Sequence, residues 1–323
     1  MVRVEQLTHV YPARRKQPPR LALDRLDLTV AEGTFFVLTG PNGGGKSTLF
    51  RILCGLMRPS AGRVLIRGLD LLRESAAARS AMGVVFQKPA LDVHLSVEEN
   101  FKIHADLYGV APSDYRRRLD EGLSWTGLAD RLNHRVGSLS GGLARQVELV
   151  KALLHNPSLL IMDEPSTGLD PGTRRGFVDM VRRIQRERGM TVLMTSHIFS
   201  EAEEADAVAI LKEGRLLARE SPARLRASLG RELLVIQTTG AAPLAAELAV
   251  RPGLKVQTRE GEVRVEGPDM TALVQEIFLN RPEGIRAISL KEPSLEDVYI
   301  HLTGRSLEQE ESEGTRLSGG GAP

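Results

Sequence analysis

Nine consecutive residues, Gly40-Pro41-Asn42-Gly43-Gly44-Gly45-Lys46-Ser47-Thr48, enclose four positions between two glycines and follow the second with a lysine and two hydroxyls. Several backbone N–H groups of such a turn can converge on one polyphosphate, because glycine removes the side chains that would obstruct positive φ angles and close approach. A helix beginning near Lys46 adds the partial positive charge of its first turn. Lys46 then reaches the β- and γ-phosphates, and the Ser47 hydroxyl is placed to ligate Mg²⁺. The setting agrees: the apolar run Phe35-Phe36-Val37-Leu38 precedes the turn and Leu49-Phe50-Arg51-Ile52-Leu53 follows it, so strand, turn and helix come in the required order.

Asp163-Glu164-Pro165 closes a second apolar run, Leu159-Leu160-Ile161-Met162, which is too short for a helix. Carboxylates are costly at the end of a core strand. Beside a phosphate loop they have a use: Asp163 as outer ligand of the Mg²⁺ that Ser47 holds, Glu164 as base or water-orienter for attack on the γ-phosphate. Gln87 ends the buried run Gly83-Val84-Val85-Phe86, where it either faces the ligand crevice of an open α/β sheet or closes a loop. His197 follows another core strand, at 190–195, and serves as donor to a γ-phosphate oxygen or as a structural histidine. Ser140-Gly141-Gly142 opens a helix carrying Leu143, Val147, Val150 and Leu154 at helical spacing; alone it reads as an N-cap, although its first turn is a second place for an anion. Tyr11 stands at a strand end, as a packing aromatic or as a platform for adenine.

The elements that must position these residues follow from periodicity. Residues 2–8 and 21–30 alternate like two half-buried strands of an antiparallel addition, separated by a Pro- and Arg-rich loop containing Arg14, Arg15 and Lys16. A turn and short strand span 59–68, and a polar, Ala-rich helix 71–78. Residues 88–138 read as a helical insertion: Ser96 and Glu99 form a capping box for a helix to Gly109, and an Arg-rich helix covers 113–124. A helix at 173–188 turns Phe177, Met180, Val181 and Ile184 inward, Ser200 caps a short acidic helix, and a hairpin turns at Glu213-Gly214.

With 323 residues the chain has room for one large α/β domain and a smaller one. A net charge of +2 with 26% charged residues lacks the basic excess of a nucleic-acid binder, so no nucleic acid is expected as a partner. The single cysteine, Cys54, excludes an intrachain disulfide and reads as a small buried apolar residue in a reducing compartment. No apolar run approaches the roughly 20 residues that span a bilayer, and Met1-Val2-Arg3-Val4-Glu5 does not read as a leader. A cytoplasmic protein is expected.

Taken in order, these motifs make the chain resemble the ATP-binding subunit of an ABC transporter over about residues 1–225, with Gly40 to Thr48 as Walker A, Gln87 as Q-loop and Leu139-Ser140-Gly141-Gly142 as signature. Leu159 to Glu164 match Walker B and the catalytic glutamate, Ser166-Thr167-Gly168-Leu169-Asp170 the D-loop, His197 the switch histidine and Tyr11 the adenine-stacking aromatic. The resemblance implies a P-loop NTPase (ABC ATPase) core of the α/β class, with an antiparallel β addition and a helical subdomain. It implies ATP and Mg²⁺ as cofactors and Glu164, His197 and Gln87 as catalytic residues, with Gln87 joining Ser47 and Asp163 at the metal. It also implies two ATP sites, each closed between one copy's phosphate loop and the other's Ser140, Gly141, Gly142 and Asp170, with an integral membrane permease as partner on the cytoplasmic face of the membrane. Two departures stand out: Gly44 where the family usually has Ala, an exchange that adds backbone freedom, and Leu143 where it often has Gln.

Residues 231–303 read as a small α+β domain of strand, helix, a hairpin around Glu260-Gly261, helix, strand and a closing helix capped by Ser294. Its end, Pro293-Ser294-Leu295-Glu296-Asp297-Val298-Tyr299, resembles the C-terminal extension of exporter ATPases of the daunorubicin-resistance and sodium-extrusion kind. Residues 304–323 read as a disordered tail. Two functions compete: an ATPase that drives export through a separate permease, and a soluble ATP-dependent clamp or regulatory ATPase using the same dimer.

Overall fold

The computed structural model describes residues 1–13, 18–229, 232–259, 261–267, 269–280 and 284–306. The Arg14–Lys16 part of the loop, Glu260 of the expected turn and residues 307–323 of the expected tail lie outside them. The chain forms two compact units, residues 1–219 and residues from 220 onward.

The first unit holds strands β1 (Val2–Tyr11), β2 (Arg20–Val30), β3 (Phe35–Thr39), β4 (Ala61–Ile66), β5 (Leu69–Asp70), β6 (Met82–Val85), β7 (Leu159–Asp163), β8 (Thr191–Ser196), β9 (Ala207–Lys212) and β10 (Arg215–Glu220). Its helices are α1 (Lys46–Leu53), α2 (Ser75–Ser80), α3 (Val97–Leu107), α4 (Pro112–Trp125), α5 (Gly141–Leu153), α6 (Pro171–Arg188) and α7 (Phe199–Ala202). β1 pairs antiparallel with β2 from Val2↔Val30 and with β4 from Val2↔Ile66, completing the sheet β2-β1-β4-β5. The alternating pattern of both long strands required one wet and one dry face, and the dry face joins Leu7, Leu23 and Leu28 to Phe36, Leu49 and Phe50 in one core.

The second sheet runs β10-β9-β3-β8-β7-β6. β9, β3, β8, β7 and β6 are parallel, with Thr39 opposite Ser196, Asp163 opposite Thr195 and Val85 opposite Met162. β3, β7 and β8 are buried at every position, which accounts for the apolar runs 35–38, 159–162 and 192–194 within them. This register sets the carboxyl ends of four neighbouring strands in one row, where an open α/β sheet binds ligands. Gly40, Glu164, His197 and Gln87 are the residues that leave it.

The helical insertion holds α3, opened by the Ser96/Glu99 capping box, and α4, which pack with α5 around Val97, Phe101, Leu119, Val147 and Val150. Three local expectations are corrected. α2 begins at Ser75, four residues late, because Asp70 Oδ1 accepts from the N–H of Leu72 and Arg73 and holds a turn there. On α6 Val178 is buried and Met180 only half-buried. Ser200 lies inside α7, which has no side-chain cap.

The second unit holds α8 (Pro222–Ala227), β11 (Leu233–Thr238), α9 (Ala241–Ala249), β12 (Lys255–Arg259), β13 (Glu262–Glu266), α10 (Met270–Asn280), β14 (Ile285–Lys291) and α11 (Leu295–Thr303). Its sheet is β12-β13-β11-β14, and Ser294 with Asp297 forms a capping box on α11. Helix α8 carries no periodicity long enough to have been read from sequence.

Candidate functional site

The phosphate-loop turn is built by close packing. A Cβ on Gly40, whose φ is 138°, would stand 2.0 Å from the Leu211 carbonyl oxygen, and one on Gly45, at φ 108°, would stand 2.7 Å from that of Ala22. Only glycine fits either position. Gly44 differs from the expectation: its φ is not positive, yet a Cβ there would lie 2.9 Å from the Leu211 carbonyl oxygen and 3.0 Å from that of Pro41. Glycine at this position therefore answers to close approach of β9, not to backbone freedom.

Lys46, buried at the start of α1, donates from Nζ to the carbonyls of Gly40 (2.6 Å) and Pro41 (3.0 Å) and lies 3.9 Å from Glu164 Oε1. Ser47 is exposed at the same helix start. Tyr11, Pro41, Asn42, Gly43, Gly45, Lys46, Ser47, Thr48 and Glu164 share the lining of one cleft of about 230 Å³ with Arg20 and Arg51. The Tyr11 hydroxyl meets Thr48 Oγ1 at 3.1 Å, and the Arg20 guanidinium lies over the Tyr11 ring at 5.7 Å.

Glu164 is the point of convergence. Its Oε2 accepts from Gln87 Nε2 at 3.2 Å and from Thr167 Oγ1 at 3.4 Å and faces His197 Nδ1 at 3.2 Å. The His197 ring beside Oε2, ahead of the charge of Lys46, holds its carboxyl below the usual range although burial opposes this. An ionised carboxylate that other groups orient is suited to accept a proton from water. The Glu164 backbone is in the left-handed region, at φ 43°, and its N–H donates to the Thr195 carbonyl (3.1 Å) and Thr195 Oγ1 (3.0 Å).

Burial shifts Asp163 the opposite way, raising its carboxyl, while Thr195 Oγ1 donates to its Oδ1 at 2.6 Å. A buried carboxylate at this edge, with an exposed hydroxyl at Ser47, is an oxygen donor set of the kind Mg²⁺ takes alongside phosphate oxygens and water. Gln87 turns its amide nitrogen on Glu164, so only its oxygen end suits a cation. Among the described residues no group of three or more His, Cys, Asp or Glu side chains could hold a metal by itself. The residues thus fit a cation completed by the nucleotide.

Ser140, Gly141, Gly142 and Asp170 do not line this cleft. Ser140 caps α5, a Cβ on Gly142 would stand 2.7 Å from Thr173 Cγ2, and Asp170 caps α6 through the N–H groups of Gly172 and Thr173. They form a second, exposed corner of the unit.

The sequence reading missed the supports. Arg145 Nη1 donates to the carbonyl of Phe86 at 2.6 Å and to Glu148 Oε2 at 2.7 Å, and its Nη2 donates to the carbonyl of Gln87. Glu148 Oε1 accepts from the Ala90 N–H at 2.6 Å, so this buried pair ties α5 to the segment that carries Gln87. A charged residue every third position on a helix otherwise reads as solvated surface, and no local signal marks these two as buried. Cys54 is buried, and its thiol is pushed up to about 12 by burial.

The family described as ABC transporter matches residues 23–167. Over 298 residues the chain is 36% identical to the daunorubicin resistance ATP-binding protein DrrA3 of Streptomyces coeruleorubidus, covering 90% of this chain and 94% of that protein. It is 35% identical over 297 residues to the Nod factor export ATP-binding protein I of Rhizobium sp. (strain N33), covering 90% and 94%. It is 31% identical over 292 residues to the linearmycin resistance ATP-binding protein LnrL of Bacillus subtilis, covering 87% and 93%. Among solved structures, a dimeric ATP-binding cassette in a post-hydrolysis state with ADP and Pi superposes with a TM-score of 0.61 at 28% identity, covering 68% of this chain and 98% of that one.

Proposed function

The chain belongs to the ATP-binding subunits of ABC transporters, and from that premise we propose that it works as one half of a paired ATPase driving export of a small molecule through a separate membrane permease. The carrying observation is the convergence of Gln87, Thr167, His197 and Lys46 on the ionised Glu164 beside the phosphate loop. In this reading the loop N–H groups and Lys46 bind the triphosphate, Tyr11 stacks on the adenine, and Glu164 takes the proton of the attacking water. Gln87 and His197 hold the Glu164 carboxylate in line for that transfer. A Mg²⁺ at Ser47 and Asp163, with Gln87, would supply charge neutralisation at the transferred phosphoryl group.

The separation of Ser140, Gly141, Gly142 and Asp170 from the cleft supports a head-to-tail pair in which a second copy brings this corner to the first copy's nucleotide. The first unit is then the ATPase proper, with residues 88–138 the part that meets the permease, and the second unit, which contains 231–303, an accessory module. No helix among the described residues is long and apolar enough to cross a membrane; the relatives' names as resistance and export ATP-binding proteins support a peripheral place on the cytoplasmic face, held by the permease. The relatives' names speak of daunorubicin and linearmycin resistance and of Nod factor export. They support a drug, antibiotic or lipid-like cargo and disfavour the soluble-clamp alternative.

The test is ATP hydrolysis and solute efflux in vesicles carrying the permease, with native chain and with Ser140→Ala. Loss of both with Ser140→Ala is expected. A full ATPase rate from a strict monomer, indifferent to Ser140→Ala, overturns the paired motor.

A further inference from the structure

We propose that Glu201 is a positioning residue for hydrolysis: its buried carboxylate ties Ser166, two residues after Glu164, to Ser196, the residue before His197, and so sets the Glu164–His197 contact. The inference rests on the hydrolytic reading above and names a residue that this reading does not use.

Glu201 sits on α7 and is 4% exposed, while Ser166 and Ser196 are 2% and 1% exposed. Ser166 Oγ donates to Oε1 and Ser196 Oγ donates to Oε2 of the same carboxylate. Ser196 Oγ in turn accepts from the Ile198 N–H at 2.9 Å. Arg174 Nε lies 3.9 Å from Oε1, and Arg174 Nη2 donates to the Leu169 carbonyl at 3.2 Å, so the D-loop is held at a second point. A buried carboxylate carries a desolvation cost that packing alone would avoid, since an apolar side chain fills such a site more cheaply. What only a carboxylate provides is two acceptor oxygens with no proton, so that both serine hydroxyls must point inward at once.

The geometry explains why the contact needs such a tie. Glu164 has a left-handed backbone, which persists only where its surroundings over-determine it. Thr195 restrains it from the strand side through the Glu164 N–H. The segment after it is restrained by Ser166 on Glu201, and the same carboxylate fixes the end of β8 from which His197 leaves. Both partners of the 3.2 Å contact are thus referred to one anchor.

The test measures kcat, KM for ATP and thermal midpoint of the complete chain for Glu201→Gln, Ser196→Ala and Ser166→Ala. Glu201→Gln keeps the shape but places an N–H₂ against one serine. It is expected to lower kcat about 10- to 100-fold, the scale of a misplaced catalytic group, with KM within about threefold. Ser196→Ala is expected to lower kcat in the same way, and adding Glu201→Gln to it to cost less than about twofold more, because the two act as one unit. Should Glu201→Gln not fold, the two serine variants carry the test by their loss of kcat at unchanged KM. A native kcat in Glu201→Gln or in both serine variants overturns the proposal, as does a fall in thermal midpoint with kcat retained. A native chain without ATPase activity would instead fail the functional reading itself.

Discussion

Replacing Glu164 by Gln preserves the side chain's shape and removes its charge and basicity. In the native site Oε2 holds Gln87, His197 and Thr167 at 3.2 to 3.4 Å, and Oε1 lies 3.9 Å from Lys46 Nζ. The amide oxygen of Gln can keep some of these contacts, so the cleft should retain its form. A general base contributes about 10²- to 10⁴-fold, about 3 to 5 kcal/mol of barrier at 1.36 kcal/mol per decade. Turnover in Glu164→Gln is therefore expected to fall at least about a hundredfold. Binding should survive, because the Lys46 ammonium and the loop N–H groups are untouched and a negative charge near the γ-phosphate is gone. Phosphate release gives the rate, and gel filtration with ATP gives the assembly, where a nucleotide-bound dimer that persists is expected. Hydrolysis within about tenfold of native, or loss of ATP binding together with turnover, refutes the role assigned to Glu164.

Since His197 beside Oε2 is the largest cause lowering the Glu164 carboxyl, Glu164 is expected to stay ionised further into acid than a free carboxylate, and the acid limb of native kcat to be displaced to lower pH. His197→Ala removes that ring and should move the limb to higher pH; a pH–rate profile that lowers kcat without moving the limb contradicts this. Tyr11→Ala should weaken ATP binding by about 1 to 3 kcal/mol if the ring stacks on adenine, whereas Tyr11→Phe, which loses only the contact with Thr48, should cost less than about 1.5 kcal/mol; equal losses by calorimetry would reject stacking. Arg145→Ala leaves Glu148 buried without its cation and should cost about 3 to 5 kcal/mol in denaturant unfolding, against a smaller loss for Arg145→Met with Glu148→Leu. Gly44→Ala must push its Cβ against the Leu211 carbonyl and should cost about 1 to 3 kcal/mol, read as a lowered thermal midpoint; an unchanged midpoint means that β9 gives way.

Much of the site was legible because it is written in short stretches. The turn from Gly40 to Thr48, the strand ending in Asp163 and the cap at Ser140 are each recognisable from residues within a few positions, where glycine spacing, apolar runs and caps act directly on the backbone, although Gly40 and Gly45 also answer to Leu211 and Ala22. The same holds for Ser96 with Glu99 and for the turn at Glu213-Gly214, where both residues have positive φ. Errors came where a side chain reached past its own pattern, as Asp70 does in delaying α2, or where a segment was too short for any period, as in α8.

The order of the phosphate loop, carboxylates, glutamine and histidine along the chain already determined that an ATP-handling sheet would form and which strand ends would carry its chemistry. Strand order and register alone decided that Gln87, Glu164 and His197 meet, because parallel strands 70 or more positions apart in some cases place their ends side by side only once the sheet is closed. The supports were decided there as well. Arg145, Glu148, Thr195 and Glu201 look like ordinary polar residues of helix and strand, and they acquire a role only when burial turns them onto one another and onto the loops they hold.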